Sequence, residues 1–472
     1  MRAGRRGLGA GGEDRQQLGR RSAAGLGRPV TAGSGRPVAS APWPPGSRLP
    51  WPLQIPLFLA GPRWQSVWAR RYGDRFTVRL GPFGNYIYLA DPGEIRGVFQ
   101  SDDAVLHAGQ ANAAVLGAVL GPSSLLVLDE DEHRRRRKMM AASLQRAAVE
   151  RLVPLMEEIA GVAVGRWPEG RTFPVLPQMR AITLEVILQA AIGVTDPARR
   201  GALRRALLVL SDIPLWRMAQ FAVPSLRTHR PWRSFWDGWT VADGLLRDEV
   251  RRAVADPDLD RRPDVLAVLV RARDEDGSAM TEDELVDQLR TLLLAGHETT
   301  ATALAWTLER LVRHRDVLER ATGAARSGDL DYLDAVVAET LRCRPVIADV
   351  ARVVVSGYRL GDHTVPPGTF LNPAIALVHR SAAAYPRPDR FDPQRFVGHR
   401  PDPSVWLPFG GGNRRCLGAS LATTEMRVVL AAVLRGTDLA WTAQRGERAR
   451  IRHVTLVPHR GARIRITGRA GG

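Results

Sequence analysis

The sequence predicts a mainly α-helical fold with small β-sheets, on three observations. Apolar residues recur at helical spacing through most of the stretch from 130 to 340. Short alternating segments (RFTVRL, NYIYLA, ARVVV, YRL, TFLN) are set off by Gly and Pro, as small sheets require. Strands and helices do not alternate in the manner of a doubly wound fold, and no repeat of 20–50 residues is visible.

In chain order, residues 1–45 are rich in Gly, Arg, Ser and Pro and lack apolar periodicity. They cannot bury enough surface to offset the entropy of ordering, so they are expected to form a disordered tail preceding a domain over 46–472. Gly7, Gly9 and Gly12 match G-x-G-x-x-G without a preceding strand, and Arg20-Arg21 is not followed by an apolar export segment. The most apolar run, LPWPLQIPLFLAGP at 49–62, is too short and proline-broken for a transmembrane segment, so a cytoplasmic protein is expected. A short helix and two strands follow from 64 to 100, ending in a turn at Asp91-Pro92-Gly93. After the helical stretch come β-like pieces at 350–375, a proline-rich loop at 385–408 and a Gly-rich turn. A helix to about 435 and a strand pair at 438–466 close the chain.

Composition narrows the function. The chain has 472 residues, 44% hydrophobic and 25% charged, which is ordinary for a globular protein. Two cysteines, Cys343 and Cys416, exclude a disulfide framework and a four-cysteine zinc site. The net charge is +18, with nine arginines in the first fifty residues and Lys138 as the one lysine. The basic residues neither cluster with aromatics nor sit on a recognition motif, so no nucleic-acid partner is expected.

The sharpest motif is Phe409-Gly410-Gly411-Gly412-Asn413-Arg414-Arg415-Cys416-Leu417-Gly418. Three glycines allow a tight turn beneath a large flat object. Cys416 stands beside two arginines and before a helix, both of which favour a thiolate. A lone thiolate can be the single axial ligand of a haem iron; a Gly-rich loop with an incidental buried cysteine fits the composition equally well. A second motif, Ala295-Gly296-His297-Glu298-Thr299-Thr300, interrupts an apolar helix over 281–314 that starts with a Thr281/Glu284 capping box. A mid-helix glycine costs about 1 kcal/mol relative to alanine, and an acid and an alcohol beside it break the local pattern, as functional sites do. A hydrogen-bonded Thr pair in a core helix is the alternative. Ala301 stands where H-E-x-x-H needs its second histidine, which excludes a zincin. Third, Glu339 and Arg342 share one face of an apolar helix that stops before Pro345. Fourth, in Asp129–Lys138, His133, Arg137, Met140 and Leu144 form one stripe, which turns Arg137 inward and Arg134, Arg135, Arg136 and Lys138 outward.

Together these motifs resemble those of the cytochrome P450 family. Its haem loop, F-x-x-G-x-R-x-C-x-G, is matched at Phe409, Gly412, Arg414, Cys416 and Gly418, and its A-G-x-E-T motif at Ala295, Gly296, Glu298 and Thr299. Its E-x-x-R is matched at Glu339 and Arg342, and P-x-R-F at Pro393, Arg395 and Phe396, with Gln394 where glutamate is frequent. The resemblance implies a single-domain cytochrome P450 fold holding haem b through the Cys416 thiolate. It implies haem propionates bound by His133, Arg137, Arg352 and Arg414. Gly296 would leave a groove for O2, Glu298 and Thr299 would deliver protons, and Glu339, Arg342 and Arg395 would brace the haem loop. It implies a monooxygenase acting on an apolar small molecule, with an external ferredoxin- or flavodoxin-type electron donor and its reductase. The outward basic residues near 134–138 would dock an acidic carrier. A peroxygenase or haem-dependent isomerase, and a non-catalytic haem sensor, are the alternative readings.

Overall fold

The computed structural model describes residues 43–469 apart from 60–62, 102, 212–223 and 231. The expected tail to residue 42, with the Gly7/Gly9/Gly12 and Arg20-Arg21 motifs, lies outside the described residues. Trp43, Pro44 and Pro45, the last residues of that expected tail, already belong to the described fold. The Pro44 carbonyl accepts from the Thr77 hydroxyl at 2.8 Å and the Pro45 carbonyl from the Thr77 amide at 2.8 Å.

Among the described residues the fold is helical with four small sheets, as the periodicity predicts. Strands β1 (Arg75–Arg79) and β2 (Asn85–Leu89) pair antiparallel. Asp91 is not part of a plain turn. Its carboxylate accepts from the Glu94 amide at 2.8 Å and caps helix α1 (Pro92–Gln100), whose first-position proline is preset for a helix start. The sheet is completed by β3 (Leu106–His107), β5 (Arg352–Val354) and β8 (Phe370–Pro373) in the order β1-β2-β8-β5-β3, with a parallel β2/β8 pair. Helix α2 (Ala108–Leu120) leads to α3 (Glu130–Ala141), the basic segment. A second sheet orders β4 (Thr172–Pro174), β12 (Arg463–Arg469) and β9 (Thr437–Leu439), so the predicted terminal strand pair forms and gains a third strand. Two hairpins complete the strands: β6 (Tyr358–Leu360) with β7 (His363–Val365), and β10 (Ala449–Arg452) with β11 (Thr455–Pro458).

The core is organised on α6 (Glu282–Leu311), a 30-residue helix flanked by α4 (Leu176–Val186), α5 (Arg233–Val254), α7 (Leu330–Cys343) and α8 (Ala419–Gly436). The Thr281/Glu284 capping box is present in both directions and explains where α6 starts. From Thr300 onward α6 is buried on almost every side, with Trp306 fully buried and its indole donating to the Leu456 carbonyl at 2.7 Å. A helix apolar all round needs neighbours all round. That environment lets α6 carry a polar interruption in a fixed position.

Candidate functional site

Cys416 sits between the end of the Gly-rich loop and the start of α8, and is exposed, whereas Cys343 is buried in α7. The loop is fixed from several sides. The Cys416 amide donates to the Phe409 carbonyl at 2.8 Å, and Trp406 meets Phe409 edge-on at 5.8 Å. Arg137 Nη2 donates to the Arg415 carbonyl at 2.8 Å, and Asn413 Nδ2 to Asp103 at 2.8 Å. Gly412 has φ +64°, and a Cβ there would lie 1.9 Å from the Phe99 carbonyl oxygen of α1. Its glycine is therefore required by backbone angle and by close approach of the chain itself; the flat object expected beneath the loop is, at Gly411 and Gly412, the Phe99 residue.

The expected ease of ionisation at Cys416 is not what the surroundings give. Although solvent reaches this residue, the protein packed densely around it weakens solvation of a thiolate and pushes the thiol up, outweighing the Gly418 amide and the Arg415 and Arg137 charges that push it down. Metal ligation, which deprotonates a thiol outright, is what would make this sulfur a thiolate. Cys343 is pushed up by burial as well, and its sulfur faces the Thr340 carbonyl.

Around the loop the structure brings together His133, Arg137, Arg352 and Arg414. His133 is buried on α3 with its Nδ1 unpartnered, and burial with the Arg414 and Arg137 charges lowers it to about 4. Arg352, on β5, is lowered to about 10 by burial and by Arg414; its Nη1 donates to the Ala351 carbonyl, and its guanidinium lies 5.7 Å from the Phe99 ring. Arg414 donates to the Leu128 carbonyl and to Asp129, both at 2.6 Å, while its buried Nε makes no hydrogen bond and has only the long Asp103 contact at 3.9 Å. Buried cations that depress one another, with orphaned donors, suit an anionic ligand; Asp103 and Asp129 offset only part of the charge. The residues thus fit a haem, whose two propionates would meet these donors and whose iron would meet the exposed sulfur. Asp129 was not singled out from sequence. It accepts from the Gly109 and Gln110 amides at 2.7 Å as well as from Arg414, tying the start of α2 to the loop.

One sequence expectation for α3 is corrected. Arg136 faces inward: it is buried and pairs with Glu132 and with Glu284 at the start of α6. Residues 133, 136, 137 and 140 follow the i, i+3, i+4, i+7 rule, so the stripe admits both arginines. Arg134, Arg135 and Lys138 do face solvent, but each is paired: Arg134 with Asp131 and Asp103, Arg135 with Glu132 and Asp274, Lys138 with Glu275. The expected basic docking face is therefore largely neutralised from within.

On α6, Glu298 is buried and accepts from Arg180 of α4 at 2.6 Å, with its second oxygen unpartnered. Arg180 lies 118 residues away, so no local pattern could reveal it. Thr299, half-buried, donates to the Ala295 carbonyl at 2.6 Å, so acid and alcohol are not bonded to one another. At Gly296 a Cβ would lie 2.5 Å from the Ile187 methyl, so the glycine admits a packed side chain. Neighbouring His297 is buried, bonded to the Leu293 carbonyl and lowered by burial.

Glu339 and Arg342 are fully buried in two parallel contacts, Nε–Oε2 at 2.7 Å and Nη2–Oε1 at 2.8 Å, and Arg395 approaches Glu339 at 3.6 Å. The remaining Arg342 donors reach the His379 and Arg390 carbonyls, and His379 Nε2 accepts from the Leu407 amide at 2.8 Å, two residues before Phe409. The pair is thus linked through His379 to the start of the cysteine loop. Among the described residues no cluster of three or more His, Cys, Asp or Glu could hold a metal ion, and no helix is long and apolar enough to cross a membrane.

Comparison with known proteins agrees with this geometry. The cytochrome P450 family model matches residues 44–459. Cytochrome P450 135B1 of Mycobacterium tuberculosis is 49% identical over 413 residues, covering 86% of this chain and 87% of the relative. Cytochrome P450 135A1 of the same species is 39% identical over 417 residues, covering 88% and 93%. Among solved structures, retinoic acid bound cyanobacterial CYP120A1 shares the fold with a TM-score of 0.78 at 24% identity, covering 90% of this chain and 99% of that one. The cytochrome P450DA heme domain does so with a TM-score of 0.74 at 22% identity, covering 91% and 97%.

Proposed function

Because this chain belongs to the cytochrome P450 family of haem-thiolate monooxygenases, we propose that Cys416 is its axial iron ligand and that it oxygenates an apolar organic substrate with electrons from a separate donor protein. The observation that carries the ligand assignment is the exposed Cys416 sulfur on a loop walled by His133, Arg137, Arg352 and Arg414. Cys343, buried in α7 against the Thr340 carbonyl, has no such surroundings.

His133, Arg137, Arg352 and Arg414 would hold the propionates. Two orphaned donors, His133 Nδ1 and Arg414 Nε, are the atoms best placed to gain a partner. Bound haem supplies dioxygen reduction and oxygen-atom transfer, and its thiolate donates the electron density that favours O–O cleavage. The overall change is RH + O2 + 2 e− + 2 H+ → ROH + H2O, so two protons must reach the oxygen while bulk water is kept out. Glu298, held in place by its ion pair with Arg180, would take up a proton from solvent on its free oxygen and hand it on. The Thr299 hydroxyl, which now donates to Ala295, is the relay, releasing the carbonyl as it accepts a proton from the acid side. Glu339, Arg342 and Arg395 act through the loop only, as positioning residues.

The electron donor is of ferredoxin or flavodoxin type, supplied by its own reductase. It docks on the exposed Arg134, Arg135 and Lys138 face by exchanging its carboxylates for Asp131, Glu132 and Glu275; Arg136 takes no part. The test is a reconstituted turnover against a panel of lipids, steroids, terpenes and aromatics, run with reductase and donor and separately with peroxide. Product dependent on the reductase supports the reading. Product formed only with peroxide, or formed with neither electrons nor oxygen, replaces it with a peroxygenase or an isomerase. Haem binding without turnover of any tested class replaces it with a sensor.

A further inference from the structure

The segment Arg48–Phe83 exposes apolar side chains that a protein in water alone would cover. Leu49 is 46% exposed, Trp51 42%, Leu53 57% and Phe83 55%. The helix Trp51–Leu59 approaches the 3₁₀ turn Gly81–Phe83, where a Cβ at Gly81 would be 2.6 Å from the Trp51 ring. The helix is anchored from behind, with Ile55, Leu57 and Phe58 packed on the Trp64–Trp68–Phe76–Tyr88 cluster and Gln54 buried against the Leu49 carbonyl. Trp51 and Leu53 are therefore held outward, and exposed Pro50, Pro52, Pro56 and Pro82 widen the apolar surface. A contiguous apolar patch of this kind marks an interaction site.

Charge identifies the partner. Residues 15–73 contain nine arginines and not one Asp or Glu. Elsewhere a number of exposed arginines are matched by carboxylates nearby in sequence, as in Arg135–Glu132, Arg146–Glu150 and Arg315–Glu319, which a stretch without Asp or Glu cannot do. Around the patch Arg48, Arg63, Arg70 and Arg79 are exposed and make no ion pair among the described residues. Apolar residues including a tryptophan, ringed by unmatched arginines, are the chemistry of an anionic lipid interface: the apolar groups enter the acyl boundary and the cations stay with the headgroups.

We propose that the Leu49–Leu53 and Pro82–Phe83 surface docks reversibly on an anionic membrane surface, without spanning it. The apolar residues supply insertion and the arginines supply selectivity for negative headgroups.

The test is co-sedimentation of the full-length holoprotein with phosphatidylglycerol/phosphatidylcholine vesicles, and with vesicles of phosphatidylcholine alone. Binding to the anionic vesicles is expected to fall steeply with salt and to be weak on the neutral ones. The variant L53E/F83E, altered only at exposed tips, is expected to keep its haem content and lose at least about tenfold in partitioning. Replacing Arg48, Arg63 and Arg79 with glutamine is expected to remove the preference for anionic vesicles. The proposal is overturned if the protein binds neither vesicle or if L53E/F83E binds as well as the parent. It is also overturned if the parent self-associates without lipid and L53E/F83E does not, which would assign the patch to a second copy.

Discussion

Arg180 on the helix Leu176–Val186 donates to Glu298 in the middle of Glu282–Leu311 at 2.6 Å, and so fixes the one acid of the polar interruption. The second Glu298 oxygen is buried and unpartnered, the position at which the proposed relay would take up and release its proton. Glu298→Gln keeps an acceptor for Arg180 and removes the exchangeable acid. Turnover with reductase is expected to fall by about two orders of magnitude with little change in substrate affinity. A spectral titration of substrate beside steady-state turnover checks both halves.

Thr299→Ala removes the hydroxyl now donated to Ala295 without touching a core contact, since the residue is only half-buried. Consumption of reductant is expected to continue while product per electron falls, by about tenfold or more. Measuring reductant, peroxide and product together is the check. An unchanged yield per electron removes Thr299 from the relay.

Cys416→Ser leaves an oxygen where the iron needs a soft anionic sulfur, so the reduced carbonyl adduct is expected to lose its thiolate signature and turnover to vanish. Cys343→Ala is the control: that thiol is buried against the Thr340 carbonyl, and its loss is expected to leave the carbonyl spectrum as it was. Absorption spectra of the two variants, reduced and carbonylated, separate the cysteines.

What the sequence disclosed follows from how local each signal is. The capping box of Thr281 and Glu284, the helix before Pro345 and the Cys416 loop are written in residues within a few positions of one another, and each appears in the structure. Arg136 was misplaced because a helical stripe admits i+3 and i+4 alike, and the carboxylate that decides between them, Glu284, is 148 residues away. Arg180, Asp129 and His379 escaped for the same reason: each acts through a partner on another element. Ile187 at Gly296 escaped differently, because a glycine marks a close approach without saying which neighbour makes it.

Glu339 and Arg342 are fully buried and bonded twice, and the further Arg342 hydrogen bonds go to two carbonyls that lose a donor if the arginine goes. Arg342→Met is expected to cost about 3 kcal/mol, because it leaves the buried Glu339 only the longer Arg395 contact at 3.6 Å to offset its charge. Because His379 ties this pair to Leu407, haem retention is expected to fall as well. Denaturant unfolding of the haem-bound protein and haem loss to an acceptor protein measure the two effects.

Glu425 lies two turns into the helix that follows Cys416, fully buried, with Oε1 unpartnered and its pKa raised by burial to about 8. An unfolded glutamate ionises near pH 4. Between these values the unfolded chain has released the proton and the folded chain retains it. Fewer protons on the unfolded state mean that stability falls as pH rises through the window, then levels off once the folded carboxyl has ionised. Glu425→Gln removes this contribution. The variant is expected to match the parent near pH 4 and to exceed it by up to about 4 kcal/mol at pH 8. Paired denaturation curves from pH 5 to pH 9 check the sign: a parent that gains on the variant as pH rises would require Glu425 to be ionised and partnered in the folded protein.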